Sequence, residues 1–150
     1  LHDAGKLFLE HNFPEEFQVV ILRSLSSRDG MLEAEAKALD VTHSEVAALL
    51  CGQWRLPTDV VDAVQFHHDP NSSLNRAPGA AFMALCICVA DKIANYCHAN
   101  IQGPESLDTA ALETMPEWVQ LRATDPGRDL AVDFAVEFQK AREIIAAVAR

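Results

Sequence analysis

The sequence predicts an all-α protein, and three features of the chain support this. Apolar residues recur at spacings of three and four, whereas alternation of Val, Ile and Thr over strand lengths is absent. Capping and breaking residues divide the chain into helix-length segments, and the run from Thr42 to Glu45 has the form of a capping box. With 150 residues, 49% of them hydrophobic, the chain is long enough to bury a core. Residues 1–150 are expected to form one domain.

The same signals place the individual helices. The first five expected helices cover residues 2–12, residues 15–28, Met31 to Leu39, the capping box to about Trp54, and Pro57 to the paired histidines before Pro70. The rest of the chain is expected to contain a polar loop over 71–79, a strongly apolar helix over 80–100, a short helix over 107–114, a loop with Pro116 and Pro126, and a terminal helix over 128–149.

Charge and cysteine usage narrow the classes of partner and the cellular compartment. The net charge of −10 disfavours direct binding to nucleic acid or to a membrane surface, although a metal or a lysine can still attract a small anionic ligand locally. The four cysteines form no CxxC pair, which is typical of a reducing cytosol, so a cytoplasmic location is expected. No apolar run reaches the ~18 residues of a membrane span.

Histidine and aspartate side chains form the candidate site. Adjacent His-Asp and His-His pairs are unusual in a chain with six histidines, and imidazole and carboxylate are preferred ligands of Zn, Fe and Mn. The candidate ligands, which lie on four predicted helices and mostly near helix ends, are His2, Asp3, His43, His67, His68 and Asp91. A metal site in a helical bundle is built from side chains that project inward from facing helices. A divalent Zn, Fe or Mn ion is therefore the expected cofactor.

Several of these residues also have an ordinary structural interpretation. Adjacent side chains on a regular helix point ~100° apart, so only one of His67 and His68 can point fully inward there. At least one of them is expected at the site, and joint ligation by both stays open. His43 follows the capping threonine and could be a simple first-turn residue. Asp91 lies in an apolar stretch, where a buried carboxylate needs a metal, Lys92 or a histidine as its partner.

Four blocks of sequence resemble the HDOD domain, a regulatory branch of the HD phosphohydrolase superfamily. The blocks are LHDAGKLFL, EAEAKALDVTHSEVAALLCGQWRLP, HHDP and VADKIA, and they cover roughly residues 1–100. The resemblance implies an HD-type helical bundle, here apparently without its N-terminal helices. Those helices normally include another ligand histidine, so the metal could be absent from this chain.

The resemblance also implies roles for individual residues. His2 and Asp3 match the defining HD pair, and Asp91 matches the late aspartate that completes the core metal site. The positions that hold additional metals in the related HD-GYP phosphodiesterases are matched by His43, His67 and His68. Lys6 matches a lysine that faces substrate phosphate, which makes Lys6 and Asp3 the candidate catalytic residues.

The chain departs from the related families at three points. Asp69-Pro70 follows the paired histidines with no Gly-Tyr-Pro motif, so hydrolysis of cyclic di-GMP is not supported. Asp40 and Ala47 stand where the family usually has glycine, which indicates local differences in loop and packing.

Two functional hypotheses follow. The first is a bacterial-type signal-transduction module that binds a small ligand or a partner protein and has a reduced or silent metal site. The second is a metal-dependent phosphohydrolase acting on a phosphoester or a nucleotide, in which Lys6 stabilises developing charge. A homodimer is compatible with both, because apolar surface normally covered by the upstream helices would be open to a second copy.

Overall fold

The computed structural model describes residues 1–26, 30–73, 76, 79–99, 113–124 and 140. The described helices are α1 (Ala4–Asn12), α2 (Pro14–Ser26), α3 (Met31–Leu39), α4 (His43–Gln53), α5 (Thr58–Gln65), a 3₁₀ helix (Pro70–Ser73), α6 (Ala80–Ala99) and α7 (Pro116–Thr124). No strand occurs in these ranges, and the all-α prediction is confirmed. The helices expected over 107–114 and 128–149 lie largely outside the described residues.

The chain separates into two compact units, Leu1–Cys88 and Val89–Arg150. The expectation of a single domain stays a prediction. In the part of the chain that the structure describes, no helix is both long enough and apolar enough to cross a membrane.

Helix α4 lies at the centre of the first unit, because its side chains enter two separate apolar clusters. Val46 packs with residues of α1, α2 and α3, namely Leu9, Phe17, Val20 and Ala34. The next residue, Ala47, packs with Cys51 and with Val64 of α5. A helix that is apolar on most sides is buried on most sides. Because α4 is packed on most sides, the surrounding helices fix the positions of its polar side chains.

The capping box predicted from the sequence is present and fixes where α4 begins. The Thr42 hydroxyl accepts a hydrogen bond from the backbone N–H of Glu45 at 3.3 Å, and the Glu45 carboxylate accepts one from the backbone N–H of Thr42 at 2.8 Å. These bonds satisfy two of the amide groups that a helix leaves without partners at its start. His43 is consequently the first residue of the helix.

Gly5 allows α1 to lie directly against the first turn of α4. A Cβ at this position would be 1.9 Å from the carbonyl oxygen of His43 and 3.0 Å from the backbone nitrogen of Ala47. Both atoms belong to backbone and cannot rotate away. Only glycine permits this approach, which brings the residues just before α1 beside His43.

Asp40, at a position where the resemblance implies glycine, has a backbone conformation that glycine adopts readily. It ends α3 with φ 54°, in the left-handed region, and its N–H bonds to the carbonyl of Ala36. This region costs ordinary residues roughly 1–2 kcal/mol, and a carboxylate at a helix C-terminus also interacts unfavourably with the helix dipole. We predict that Asp40→Gly raises the free energy of unfolding by about 1 kcal/mol. Urea unfolding measures this, and a lower stability would contradict the interpretation.

Helix α7 belongs to the second unit and corrects the sequence analysis. Pro116 was expected in a loop, but it is the first residue of α7, a position that suits proline because the missing N–H has no partner there anyway. Lys92 Nζ lies 2.7 Å from Glu117 Oε1, and Trp118 is buried. The Lys92 hydrogen bond keeps the pKa of Glu117 below its ordinary value, although burial of the carboxyl acts in the opposite direction.

Candidate metal centre

The N-terminal end of α1, the first turn of α4 and the turn after α5 meet at one place in the first unit. They bring together the side chains of His2, Asp3, His43, His67 and His68. Two overlapping groups have their ligand atoms within 4.8 Å of one another: the first is His43, His67 and His68, and the second is His2, Asp3 and His67. Five of the six predicted ligands therefore converge.

Asp3 is the residue just before α1, and its carboxylate lies between the side chains of Lys6 and His43. Its Oδ1 atom is 2.9 Å from Lys6 Nζ and 3.4 Å from His43 Nε2, and its Oδ2 atom is 3.6 Å from His2 Nε2. Burial alone would raise the pKa of the Asp3 carboxyl, but the hydrogen bond and charge of Lys6, with His2 and His43, lower it below its ordinary value. Asp3 is thus a carboxylate near neutral pH, as a metal ligand must be.

His43 is completely buried and is held by a carboxylate that is also completely buried. Both His43 and Glu35 have 0% exposure. The Nδ1 atom of His43 lies 2.9 and 2.8 Å from the two oxygens of Glu35, and the backbone N–H of His43 donates to Glu35 Oε2 at 2.9 Å. Since a carboxylate only accepts, Nδ1 carries a proton and donates it to Glu35. The Nε2 atom of His43 faces the cluster.

One ring nitrogen of His67 lies at the cluster and has no hydrogen-bond partner. Its Nδ1–H donates to the carbonyl of Val64 at 2.7 Å, while Nε2 is buried and has no hydrogen-bond partner. Burial lowers the pKa of His67, partly opposed by the Val64 hydrogen bond, and nearby His2 and His43 lower it further. The imidazole is therefore neutral, and Nε2 carries an unused lone pair inside the protein.

His68 joins the cluster because α5 ends earlier than the sequence indicated. The last helical residue is Gln65, and His67 and His68 lie in the turn that follows. The ~100° separation of helical neighbours no longer applies there, and the two rings lie 3.9 Å apart between centroids. His68 Nε2 is 3.0 Å from His43 Nε2. His67 is buried and His68 is exposed, so only His67 points fully inward, although both have a ring nitrogen at the cluster. Joint metal ligation by the pair stays a prediction.

The geometry of the cluster suits one ion held by nitrogen and oxygen. Ligand atoms of a single Zn²⁺ are about 2.9–3.4 Å apart, given metal–nitrogen distances of about 2.0–2.1 Å. The distances from His43 Nε2 to His68 Nε2 and to Asp3 Oδ1, 3.0 and 3.4 Å, lie in this range. His67 has only one free lone pair and cannot bridge two metals, so the two ligand groups compete for it.

The remaining candidates are placed differently. Asp91 belongs to the second unit, where its Oδ2 accepts a hydrogen bond from Asn95 at 3.1 Å, and its role as a ligand stays a prediction. His11 is exposed on the last turn of α1. Cys86 and Cys88 are half-buried and buried, and neither belongs to a described ligand group.

Glu35 is the site residue that the sequence analysis missed. A signal existed, because Glu35 lies four residues from both Met31 and Leu39, on the stripe of α3 that packs into the apolar cluster. A carboxylate on such a stripe requires a hydrogen-bonding partner in the interior. That partner is His43, eight residues further along the chain.

The ion pair of Asp3 predicts a loss of stability in acid. A carboxyl whose pKa is lowered in the folded state stabilises the protein above its ordinary pKa, and this stabilisation is lost as pH falls through the folded value. In the presence of a chelator, wild type should exceed Asp3→Asn in melting temperature near neutral pH. The difference should shrink below about pH 4. A difference that does not change with pH would contradict this assignment.

The described helices of the first unit hold a histidine cluster beside an adjacent His-Asp pair, which are the features that the HDOD resemblance implies, and the comparisons agree. The family model for the HDOD domain matches residues 1–70. A crystal structure at 1.90 Å of an HDOD domain protein of unknown function from Geobacter sulfurreducens is similar to 99% of this chain, with 23% identity and a TM-score of 0.65. No curated protein is significantly similar to the chain.

The HDOD resemblance is therefore supported over residues 1–70 of this chain. At 23% identity, the likeness to the solved structure supports the fold alone. The chain spans about half the length of that structure, since it covers 49% of it.

Proposed function

We propose that this chain is a regulatory module of a signal-transduction protein, and that its histidine cluster binds one divalent transition-metal ion. The observation that carries the proposal is His67 Nε2, a buried acceptor without a donor. Leaving such an atom without a partner costs about 1–3 kcal/mol, and a metal ion removes this cost. The chemistry of the surrounding donors, imidazole and carboxylate, fits Zn, Fe or Mn.

The residues that would hold the ion are His43, His67 and His68, with Asp3 as the fourth. Lys6 neutralises Asp3 when no ion is bound, since its Nζ lies 2.9 Å from the carboxylate. His2 lies at the side of the cluster, with its ring 5.0 Å from that of His67.

The regulatory part of the proposal rests on the match of residues 1–70 to the HDOD family and on the absence of a Gly-Tyr-Pro motif after His68. Its ligand would be a small anion or a partner protein.

Calorimetric titration with Zn²⁺, Mn²⁺ and Fe²⁺ after removal of metal by a chelator tests the proposal. One ion should bind per chain, and binding should raise the melting temperature because the ion binds the folded state. His11→Ala should bind as wild type does, whereas His43→Ala should not bind. If neither metal content nor melting temperature responds to any of the three ions, the metal centre is refuted.

A metal-dependent phosphohydrolase is the second candidate, and the position of Lys6 favours it. The side chains of His2, Asp3 and Lys6 are 31–38% exposed, so one side of the cluster is open to solvent. A metal ion there would supply a Lewis acid for a phosphoryl oxygen. Lys6 would orient an anionic substrate and stabilise the charge that develops on it.

The two candidates differ in what Lys6→Ala does. With bis(p-nitrophenyl) phosphate as substrate and saturating Mn²⁺, a hydrolase should lose most of its turnover in this variant while still binding metal. A regulatory module should show no turnover in either form.

A further inference from the structure

Glu35 makes more hydrogen bonds than are needed to cap the start of α4, because it contacts the ring of His43 as well as its backbone N–H. Glu35 is completely buried, and both of its oxygens are directed at the ring of a single histidine, with distances of 2.8 and 2.9 Å to His43 Nδ1. A buried carboxylate without such partners would be strongly destabilising. Glu35 can therefore keep its place on the apolar stripe of α3 only while His43 donates to it.

In the neutral form of His43, which is the form that binds a metal, two carboxylates compete for the single ring proton. Glu35 is on the Nδ1 side, and Asp3 Oδ1 is 3.4 Å from Nε2 on the other side. The Glu35 contacts are shorter, and the charge of Asp3 is already paired with Lys6 at 2.9 Å. The proton therefore resides on Nδ1. This leaves Nε2 with its lone pair, and His68 Nε2, at 3.0 Å, can donate to it.

We infer that Glu35 is the positioning residue of the metal centre, which holds His43 in the tautomer whose Nε2 lone pair faces the cluster. This inference rests on the proposed function, because the tautomer matters only if Nε2 binds a metal. Carboxylates that accept the second N–H of a ligand histidine orient the ring and raise its basicity. Replacing such partners typically weakens metal binding by about 10–100-fold.

A simpler role for Glu35 is structural, because its Oε2 also accepts the backbone N–H of His43 at the start of α4. Glu35→Gln separates the two roles. The amide oxygen can still accept from the backbone, but the amide NH₂ can donate to Nδ1, which favours the opposite tautomer with the proton on Nε2. The fold should therefore be retained while the lone pair of His43 turns away from the cluster.

Glu45→Gln is the matched control. It makes the same chemical change at the same end of α4, and Gln can replace Glu in a capping box. It does not touch the ring of His43. If Glu35 acts only through the helix start, both variants should bind Zn²⁺ as wild type does, with small losses of melting temperature.

Two measurements on the full chain decide the inference. In metal-free protein labelled with ¹⁵N-histidine, NMR at alkaline pH should show His43 protonated at Nδ1 in wild type and in Glu45→Gln, and at Nε2 in Glu35→Gln. Zn²⁺ affinity should fall by about 10–100-fold in Glu35→Gln alone. The inference is overturned if wild-type His43 is protonated at Nε2, or if Glu35→Gln changes neither the nitrogen signals nor the affinity. Since the NMR experiment needs no metal, it tests the tautomer separately from Zn²⁺ binding, so failure of this inference can be distinguished from failure of the proposed function.

Discussion

Gly5→Ala should destabilise this protein by about 3 kcal/mol or more, at or above the top of the usual range for overpacked sites. The added Cβ would be 1.9 Å from the oxygen and 2.7 Å from the carbon of the His43 carbonyl, so α1 and α4 must move apart. That separation also removes Asp3 from His43, and metal binding should weaken together with stability. Urea unfolding and Zn²⁺ titration of the folded fraction measure the two effects.

Gly52→Ala provides a control with the same chemical change and the opposite expected sign. Gly52 lies inside α4, and a Cβ there would meet nothing within 4 Å. Gly52 is the penultimate residue of α4, so alanine should be favoured over glycine by at most the interior value of about 0.5–1 kcal/mol, and this variant should be slightly more stable than wild type. If Gly5→Ala were also as stable as wild type, the close approach of α1 to α4 would be refuted.

His67→Leu should abolish metal binding and yet leave the metal-free protein nearly as stable as wild type. The substitution removes a buried nitrogen without a partner, which is favourable, and breaks the bond from Nδ1 to the Val64 carbonyl, which is unfavourable. Each effect is about 1 kcal/mol or slightly more, so the net change in unfolding free energy should be within about 1 kcal/mol.

The effect of metal on the two proteins should differ much more. At a metal concentration 100 times Kd, wild type should gain about 2.7 kcal/mol of stability. His67→Leu should gain none, because it lacks a direct ligand. His11→Leu replaces an exposed histidine on α1 and should respond to metal as wild type does. If His67→Leu were stabilised by metal as strongly as wild type, His67 would not be a ligand.

The helices could be predicted from the sequence where local signals coincide with burial. The capping box identified the start of α4, and Met31–Leu39 is a helix with the predicted bounds. The apolar periodicity was less informative about which elements pack against each face of a helix. Leu25 lies four residues after Ile21 on an apolar stripe of α2 and is nevertheless 80% exposed, and Phe8, Phe13 and Phe82 are half-exposed. Periodicity identifies an apolar face, whereas burial depends on the neighbouring elements.

The candidate site was predictable in its residues but not in its arrangement. The pairs His2-Asp3 and His67-His68 were evident from their chemistry and their resemblance to a family. That both His67 and His68 face the cluster depends on the end of α5 at Gln65, and element boundaries are poorly defined by local sequence. Glu35 escaped notice because its partner is a side chain on another helix.

The central claim is that this cluster of histidines, with Asp3, is one metal centre, and the X-ray absorption spectrum of the Zn²⁺-loaded chain tests it most directly. The structure predicts a shell of nitrogen and oxygen at about 2.0–2.1 Å, with the multiple-scattering pattern of three imidazoles. A sulfur shell at about 2.3 Å would place the metal on cysteine and contradict the claim, as would a spectrum without imidazole scattering.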